Sequence, residues 1–238
     1  INFNQKGLQG KLDLQVNMVA NFNNANLLGG GDFEQAVRWN PTAPMYREDG
    51  TFYEVQDNYN PIARYRKRLS ERDQQTCSGD ERLTAHITDH LSAAVFGSYL
   101  RDAWNDRSYR SMNDWDQRVG TSWNGMGYAG KSNDLTWTKT FEPTIDYRQT
   151  FDDRHSISAV AGYSYQYSTL ERFNANNNGF TTDGFLDWNL GAGSAINDTR
   201  LPRPGVGSFK EDNTLIAVFG RVNYSFANKY FLQAIIRR

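Results

Sequence analysis

The feature that most constrains this chain is a two-residue alternation that returns in separate blocks. In the stretch from Asn213 to Arg238, Ile216, Val218, Val222, Tyr224 and Phe226 fall on one face. Ala217, Arg221, Asn223 and Ser225 fall on the other, with Leu215 and Phe219 as apolar exceptions. Ala227-Asn228 is a minimal connection, because Asn tolerates positive φ, and Tyr230, Leu232, Ala234 and Ile236 resume the apolar face. A period of two is the signature of a β-strand with unlike faces. The same alternation runs through residues 8–22, about 75–88, 91–100, 135–147 and 155–168, for about seven strands in all. Pro143 removes a ladder donor and predicts a bulge or irregularity in its strand.

The connections alternate in length. Those near 89, 152–154 and 227–228 are tight, whereas those at about 23–72, 101–130 and 169–211 are very long. A soluble sandwich has no reason to segregate loop length by end. Barrels of the outer membrane do, with short periplasmic turns and long extracellular loops. Each arm is long enough for a membrane strand of about 9–11 residues. The Ser, Thr, Asn and Gln of the polar face suit a wet lumen better than a dry core, where such groups need internal partners. The expected fold is therefore all-β, with antiparallel up-and-down strands forming part of a transmembrane β-barrel with long extracellular loops. Tyr163, Tyr165, Tyr167, Tyr224, Phe226 and Tyr230 lie on the apolar face and are the expected membrane-interface aromatics. A secreted β-sandwich carbohydrate-binding module is the alternative.

Composition narrows the function. With 38% hydrophobic residues, a mean hydropathy of −0.73 and no apolar run near the roughly 18 residues that a spanning helix needs, a helical membrane protein is excluded. A net charge of −1 gives no electrostatic case for nucleic acid. The single Cys77 forbids an internal disulfide. Residues 1–6 have neither the basic nor the apolar region of a signal peptide, so an exported chain would be a mature or internal piece.

No chemistry of bond making stands out. Gly29-Gly30-Gly31 lacks the Gly-Lys-Ser/Thr of a phosphate loop and reads as the turn before a short helix capped by Asp32 and ended at Asn40-Pro41. His86, His90 and His155 lack zinc-site spacing, and Asp183, Asp187 and Asn189 miss the spacing of the calcium loop. No nucleophile motif is present. The expectation is a protein that is not an enzyme, with no metal and no cofactor. The loops instead carry aromatics suited to stacking on a ligand: Trp39, Tyr46, Tyr53, Tyr59, Trp104, Trp115 and Trp188, with Arg38 and Arg47 as donors.

The runs at 3–17 (FNQKGLQGKLDLQVN), 155–166 (HSISAVAGYSYQ), 175–185 (ANNNGFTTDGF), 207–221 (GSFKEDNTLIAVFGR) and 219–238 (FGRVNYSFANKYFLQAIIRR) resemble the barrel of SusC/RagA-type TonB-dependent receptors of Bacteroidetes-like bacteria. So do the NPTAP and NYNP segments. The resemblance implies an outer-membrane transporter of oligosaccharides or other bulky nutrients, peptides in some members. It implies a SusD-like surface lipoprotein as partner, TonB as energy source through a region not in this chain, and the lipid bilayer as environment. The family's plug and TonB box have no counterpart in these residues, so an internal slice of the barrel is expected.

Overall fold

In the computed structural model, which describes residues 1–29, 31–54, 59–118 and 120–238, the chain forms one eight-stranded antiparallel sheet. The strands are β1 (Asn2–Gly7), β2 (Leu12–Asn26), β3 (Arg68–His86), β4 (Leu91–Arg110), β5 (Gly127–Phe151), β6 (His155–Phe180), β7 (Gly205–Phe226) and β8 (Tyr230–Arg237). Each pairs with its neighbours in sequence, so the sheet is an up-and-down meander. The strands described form this single sheet, the arrangement of part of a barrel rather than of the two packed sheets of a sandwich.

One rung shows how the pattern was written. Gly7, Leu12, Ala85, Ala93, Ile145, Ala161, Gly220 and Ile236 are successive cross-strand partners across all eight strands. Directly paired residues share a face, so the alternations of separate segments merge into one apolar surface. Met18, Leu83, Val95, Phe141, Ile145, Ile216, Val218 and Ile236 all stand on it and all are exposed. A surface of that kind is stable against lipid and not against water, whereas the backbone donors and acceptors between paired strands are satisfied in the ladder. The rung meets β2 at its first residue, but lies six residues inside β6 and β8. The turn ends thus step down between β2 and β5, a stagger of the kind that tilted barrel strands require.

The short turns follow from residues that accept positive φ. Ala227 (49°) and Asn228 (55°) lead the three-residue connection 227–229, and Asp152 (49°) and Asp153 (52°) the connection 152–154, both with the positive φ that matches strand twist. Thr88 closes the β3–β4 turn by accepting from the His90 and Leu91 amides through its hydroxyl.

Several expectations need correction. The described residues form eight strands rather than about seven, because Leu8 (49°), Gln9 (56°) and Gly10 (84°) turn the chain where a continuous strand from residue 8 was expected. Residues 2–7 therefore form β1 against β2. The strands also outrun their alternating segments: β5 has 25 residues and β6 has 26, about 80 Å each at ~3.3 Å per residue. The long connections shrink accordingly to 27–67, 111–126 and 181–204. At Pro143 the β5–β6 pairing is interrupted, which is the expected irregularity, but the register is the same on both sides, so it is not a bulge; the shift lies between Gly127 and Tyr128. Asp32 is the first residue of α1 (Asp32–Arg38) rather than its cap, and Gly31 at φ 85° enters the helix. Gly30 of the expected triglycine turn lies outside the described residues.

Candidate functional site

The described connections at the loop end carry the chain's buried polar groups, and they are built from the residues that sequence alone marks as loop. Asn60 starts α2 (Pro61–Lys67) by accepting from the Ile62 and Ala63 amides, with Pro61 at the first helical position where its missing N–H costs nothing. The same side chain donates to the Met45 carbonyl at 2.6 Å and the Tyr53 carbonyl at 3.2 Å. One fully buried amide thus ties the 45–53 hairpin to the helix. Arg64 on α2 pairs with Asp32 at the start of α1, whose carboxylate also accepts from the Gly29 amide.

The next anchor is Arg68, the first residue of β3. Its guanidinium grips Asp114 through two bonds of 2.7 Å and Asp116 through one of 2.6 Å. Burial works against this cation, but Asp114 and then Asp116 outweigh it and hold its pKa above the ordinary value. Asp114 is itself only 1% exposed. The loop 111–126 is therefore pinned to the sheet by a bidentate charged pair.

The loop 181–204 is held at three places. Asp183 accepts from Tyr109 Oη (2.7 Å), Ser111 Oγ (2.7 Å) and the Met112 amide (3.0 Å). Burial opposes its ionisation, yet Ser111, Tyr109 and Met112 keep the carboxyl below its usual range, while burial and Asp183 push the Tyr109 phenol up. Tyr109 packs edge-on to Phe180 and, with Ala129, forms a buried apolar cluster against Leu69 and Leu190. Asn177 donates to the Leu190 and Gly193 carbonyls, Asn178 to that of Pro202, and Asn176 accepts from the Gly205 amide. The asparagine run is thus a buried clamp. Asp187, fully buried, faces Lys131 at 3.3 Å and Arg107 at 3.9 Å, and both cations lie over the Trp188 ring.

The ligand candidates separate in space. Trp39 is buried edge-on against Tyr53, and Tyr46 stacks obliquely on Phe52 across the hairpin bridge. Tyr59 and Trp115 meet with centroids 6.3 Å apart, Arg64 lying over the first ring and Arg118 over the second. Trp104 sits lower, on the polar face, under Arg72 and donating to Asp102, which also accepts from Gln74 and Thr76. Arg72 in turn is bidentate to Asp106. Trp188 is exposed over its two cations. Arg38 pairs with Glu34 on α1, and Arg47 is exposed in a turn closed by its own backbone. Among the described residues, the aromatic candidates thus join polar side chains at the Tyr59–Trp115 pair, in the Arg72–Trp104–Asp102 group and at Trp188 over Arg107 and Lys131. Residues missed by sequence reasoning are Asn60, Arg68, Tyr109 and Asp114. The Asn60-Pro61 pair is a helix-start signal that could have found the first.

Of the aromatics expected at the membrane interface, Tyr224, Phe226 and Tyr230 gather at the turn end, with His155 beside Phe226. Tyr163 and Tyr165 pair with Val218 and Ile216 inside the apolar surface, and Tyr167 lies beyond them against Trp137. Among the described residues no group of three or more metal-ligating side chains converges. No helix among the described residues is long and apolar enough to cross a membrane, which leaves crossing by strands open.

No family model matches the sequence. The TonB-dependent receptor P3 of Formosa agariphila is 27% identical over 218 residues, covering 88% of this chain and 20% of the relative. The TonB-dependent receptor P39 of the same organism is 28% identical over 120 residues, covering 46% of this chain and 10% of the relative. The chain thus spans a fifth or less of the length of these relatives. Solved structures of the RagAB peptide importer, in its closed-closed and open-open states, superpose on 99% of the chain with TM-scores of 0.75 at 18% identity, using 26% of their own chain. The sequence is thus similar to TonB-dependent receptors over most of its length, and the fold is that of part of a RagAB-type barrel. An outer-membrane setting, which the same likeness supports, turns the exposed apolar face to lipid.

Proposed function

We propose that the intact receptor imports a bulky nutrient, an oligosaccharide or a peptide, across the outer membrane with energy from TonB, beneath a SusD-like lipoprotein lid. The observation that supports this reading most is the division of the same strands. Their turn-side half presents an apolar surface to lipid, and their other half rises past the bilayer into three pinned loops. A similar arrangement extends over 99% of the chain in a protein described as a peptide importer. Nothing in this chain makes or breaks covalent bonds: its work is to bind, to gate and to let pass. The loops 27–67, 111–126 and 181–204 are extracellular, and the turns near 89, 153 and 228 are periplasmic.

The contact surface for ligand or lid is the hairpin around Tyr46 and Phe52 together with the Tyr59–Trp115 pair. Aromatic faces of this kind stack on sugars and on peptide side chains alike. The hairpin is replaceable without loss of the helix, since Asn60 caps α2 independently through Ile62 and Ala63.

The test uses the full-length receptor freed of Cys77. Single cysteines at Glu48, Asn113 and Thr199 should react with a membrane-impermeant thiol reagent on intact cells, and cysteines at Asp89, Asp153 and Asn228 should not. Replacing residues 46–52 by a short Gly-Ser linker should leave a folded, heat-modifiable barrel that no longer retains its lid or takes up nutrient at the parental rate. Inverted labelling, or parental uptake and lid retention in the replacement, would refute the reading.

A further inference from the structure

At the upper edge of the apolar face, two cations stand without an acidic partner among the described residues. Arg101 on β4 pairs across the ladder with Trp137 on β5, and Lys139 on β5 pairs with Tyr99 on one side and Tyr167 on the other. The Lys139 ammonium lies 4.7 Å from the Trp137 centroid, and Trp137 and Tyr167 lean together at 5.2 Å. Neither cation has a carboxylate within 4.0 Å among the described residues, whereas Lys210 farther up β7 is bound to Glu171. The other basic residues on this face farther up β4 and β5, Arg107 and Lys131, are engaged with Asp187.

Depth follows from register. Lys139 lies twelve residues above the turn-side end of β5, Phe151, and Arg101 ten above that of β4, Leu91. With ~3.3 Å per residue and a tilt near 40°, these are roughly 30 Å and 25 Å along the membrane normal, against an apolar band about 25 Å tall. Both cations therefore sit at the phosphate level of the leaflet nearest the long loops. Below them runs a groove of about 420 Å³ whose floor is opened by Gly79 and Gly97, with Val16 and Met18 as its wall. Glu81 borders the groove only five residues above the end of β3, roughly 13 Å up, in the hydrocarbon zone and beneath the phosphate layer.

We propose that this outer face holds a phosphorylated glycolipid of the outer leaflet, its phosphate on Arg101 and Lys139 and an acyl chain in the Gly79–Gly97 groove. The aromatic rung of Tyr99, Trp137 and Tyr167 frames the sugar-phosphate head, as aromatics do at membrane interfaces. The headgroup supplies the missing counter-charge, and the glycines supply the space for the chain. The leaflet assignment rests on the extracellular placement of the long loops.

The experiment uses the full-length receptor in detergent micelles, offered bisphosphorylated lipid A or the same lipid with its phosphates removed. Bound lipid is counted by native mass spectrometry. The parental protein should prefer the phosphorylated lipid by at least about fivefold, and the Arg101→Ala/Lys139→Ala double variant should lose that preference. Lys210→Ala should keep it, and Arg101→Lys should restore most of it in the single-site series. Heat-modifiability confirms that each variant is folded. Equal retention of both lipids by the parental protein, or an unchanged preference in the double variant, overturns the proposal. Displacement of the lipid by inorganic phosphate at matched concentration would show a free-phosphate site and overturn it as well. The cysteine labelling of the loops is read separately, so a failure here with correct labelling discards this site and leaves the transport reading standing.

Discussion

The two halves of these strands solve opposite problems with one ladder. Toward the turns, Leu83, Val95, Ile145, Val218 and Ile236 are exposed and nothing in the chain covers them. Toward the loops, Asn60, Asp114, Gln117, Asn177 and Asp187 are buried although every one is polar. A soluble domain would have them the other way round. The difference shows where each half gets its stability. The lower half gains nothing from packing within this chain and depends on lipid to take up its apolar face. The upper half, standing in water above the membrane, is held by directed bonds: a bidentate arginine, a triply bonded aspartate and an asparagine clamp. Such networks are costly when one member is lost, because the remaining groups stay buried without a partner.

Four experiments, built on five substitutions in the full-length receptor, would break or sharpen this contrast. The largest effect is expected from Arg68→Ala. It leaves the Asp114 carboxylate buried and uncompensated, which costs about 3–5 kcal/mol of local stability. Limited proteolysis should open the 111–126 loop while the barrel still inserts; a protected loop would show that the pair is not the pin. Next, Ile145→Arg on the apolar face should cost about 2–4 kcal/mol in denaturant unfolding from liposomes. Ser164→Arg, on the opposite face of the neighbouring strand, should cost close to nothing; equal costs would abolish the distinction between the faces. Third, Tyr109→Phe removes a bond to a carboxylate and should cost about 1.5–3 kcal/mol, seen as faster hydrogen exchange in 181–204 and nowhere in the membrane band. The smallest is Glu81→Leu. Replacing an exposed carboxylate midway up the lipid-facing side should stabilise the barrel by about 1 kcal/mol. Destabilisation would show instead that another polypeptide covers that spot.

A pH dependence separates the halves as well. The folded state holds Asp183 below its ordinary value, so its contribution is fully present above the unfolded aspartate pKa near 3.9 and is lost as pH falls through the folded one. Exchange protection of 181–204 should therefore fall on acidification below about pH 4, while the β6–β7 ladder in the band stays protected. Uniform loss in both would contradict the division.

The membrane half was legible because a single physical demand, apolar toward lipid and polar toward water, writes itself into every second residue. The tight turns were legible for a similar reason: Asn228 and the Asp152-Asp153 pair are residues that accept positive φ. Above the bilayer that demand ceases. Residues such as Asn174, Ala175 and Asn176 are in strand with no alternation to reveal it, which is why β5 and β6 proved longer than their patterns and the loops shorter. The first strand was hidden by Leu8 and Gln9, two residues that seldom take positive φ, continuing an apparent alternation through a turn. The ligand candidates were chosen by residue type, and type does not say which aromatic is spent on packing. Trp39 and Tyr53 turned toward each other, whereas the arginine and aspartates that pin the loops carry no local signature, since their partners lie about 46 residues away.

The most direct measurement is a cysteine scan along β6, which crosses both regions. In the full-length, Cys77-free receptor in liposomes, single cysteines from Ile157 to Phe173 would carry a fluorophore and be challenged with lipid-borne and water-borne quenchers. Odd positions through Tyr165 should be quenched from the lipid and even positions should not. By Glu171 and Phe173 both parities should answer only to the aqueous quencher. Lipid quenching that is equal on the two parities, or that continues unchanged to Phe173, would contradict the account.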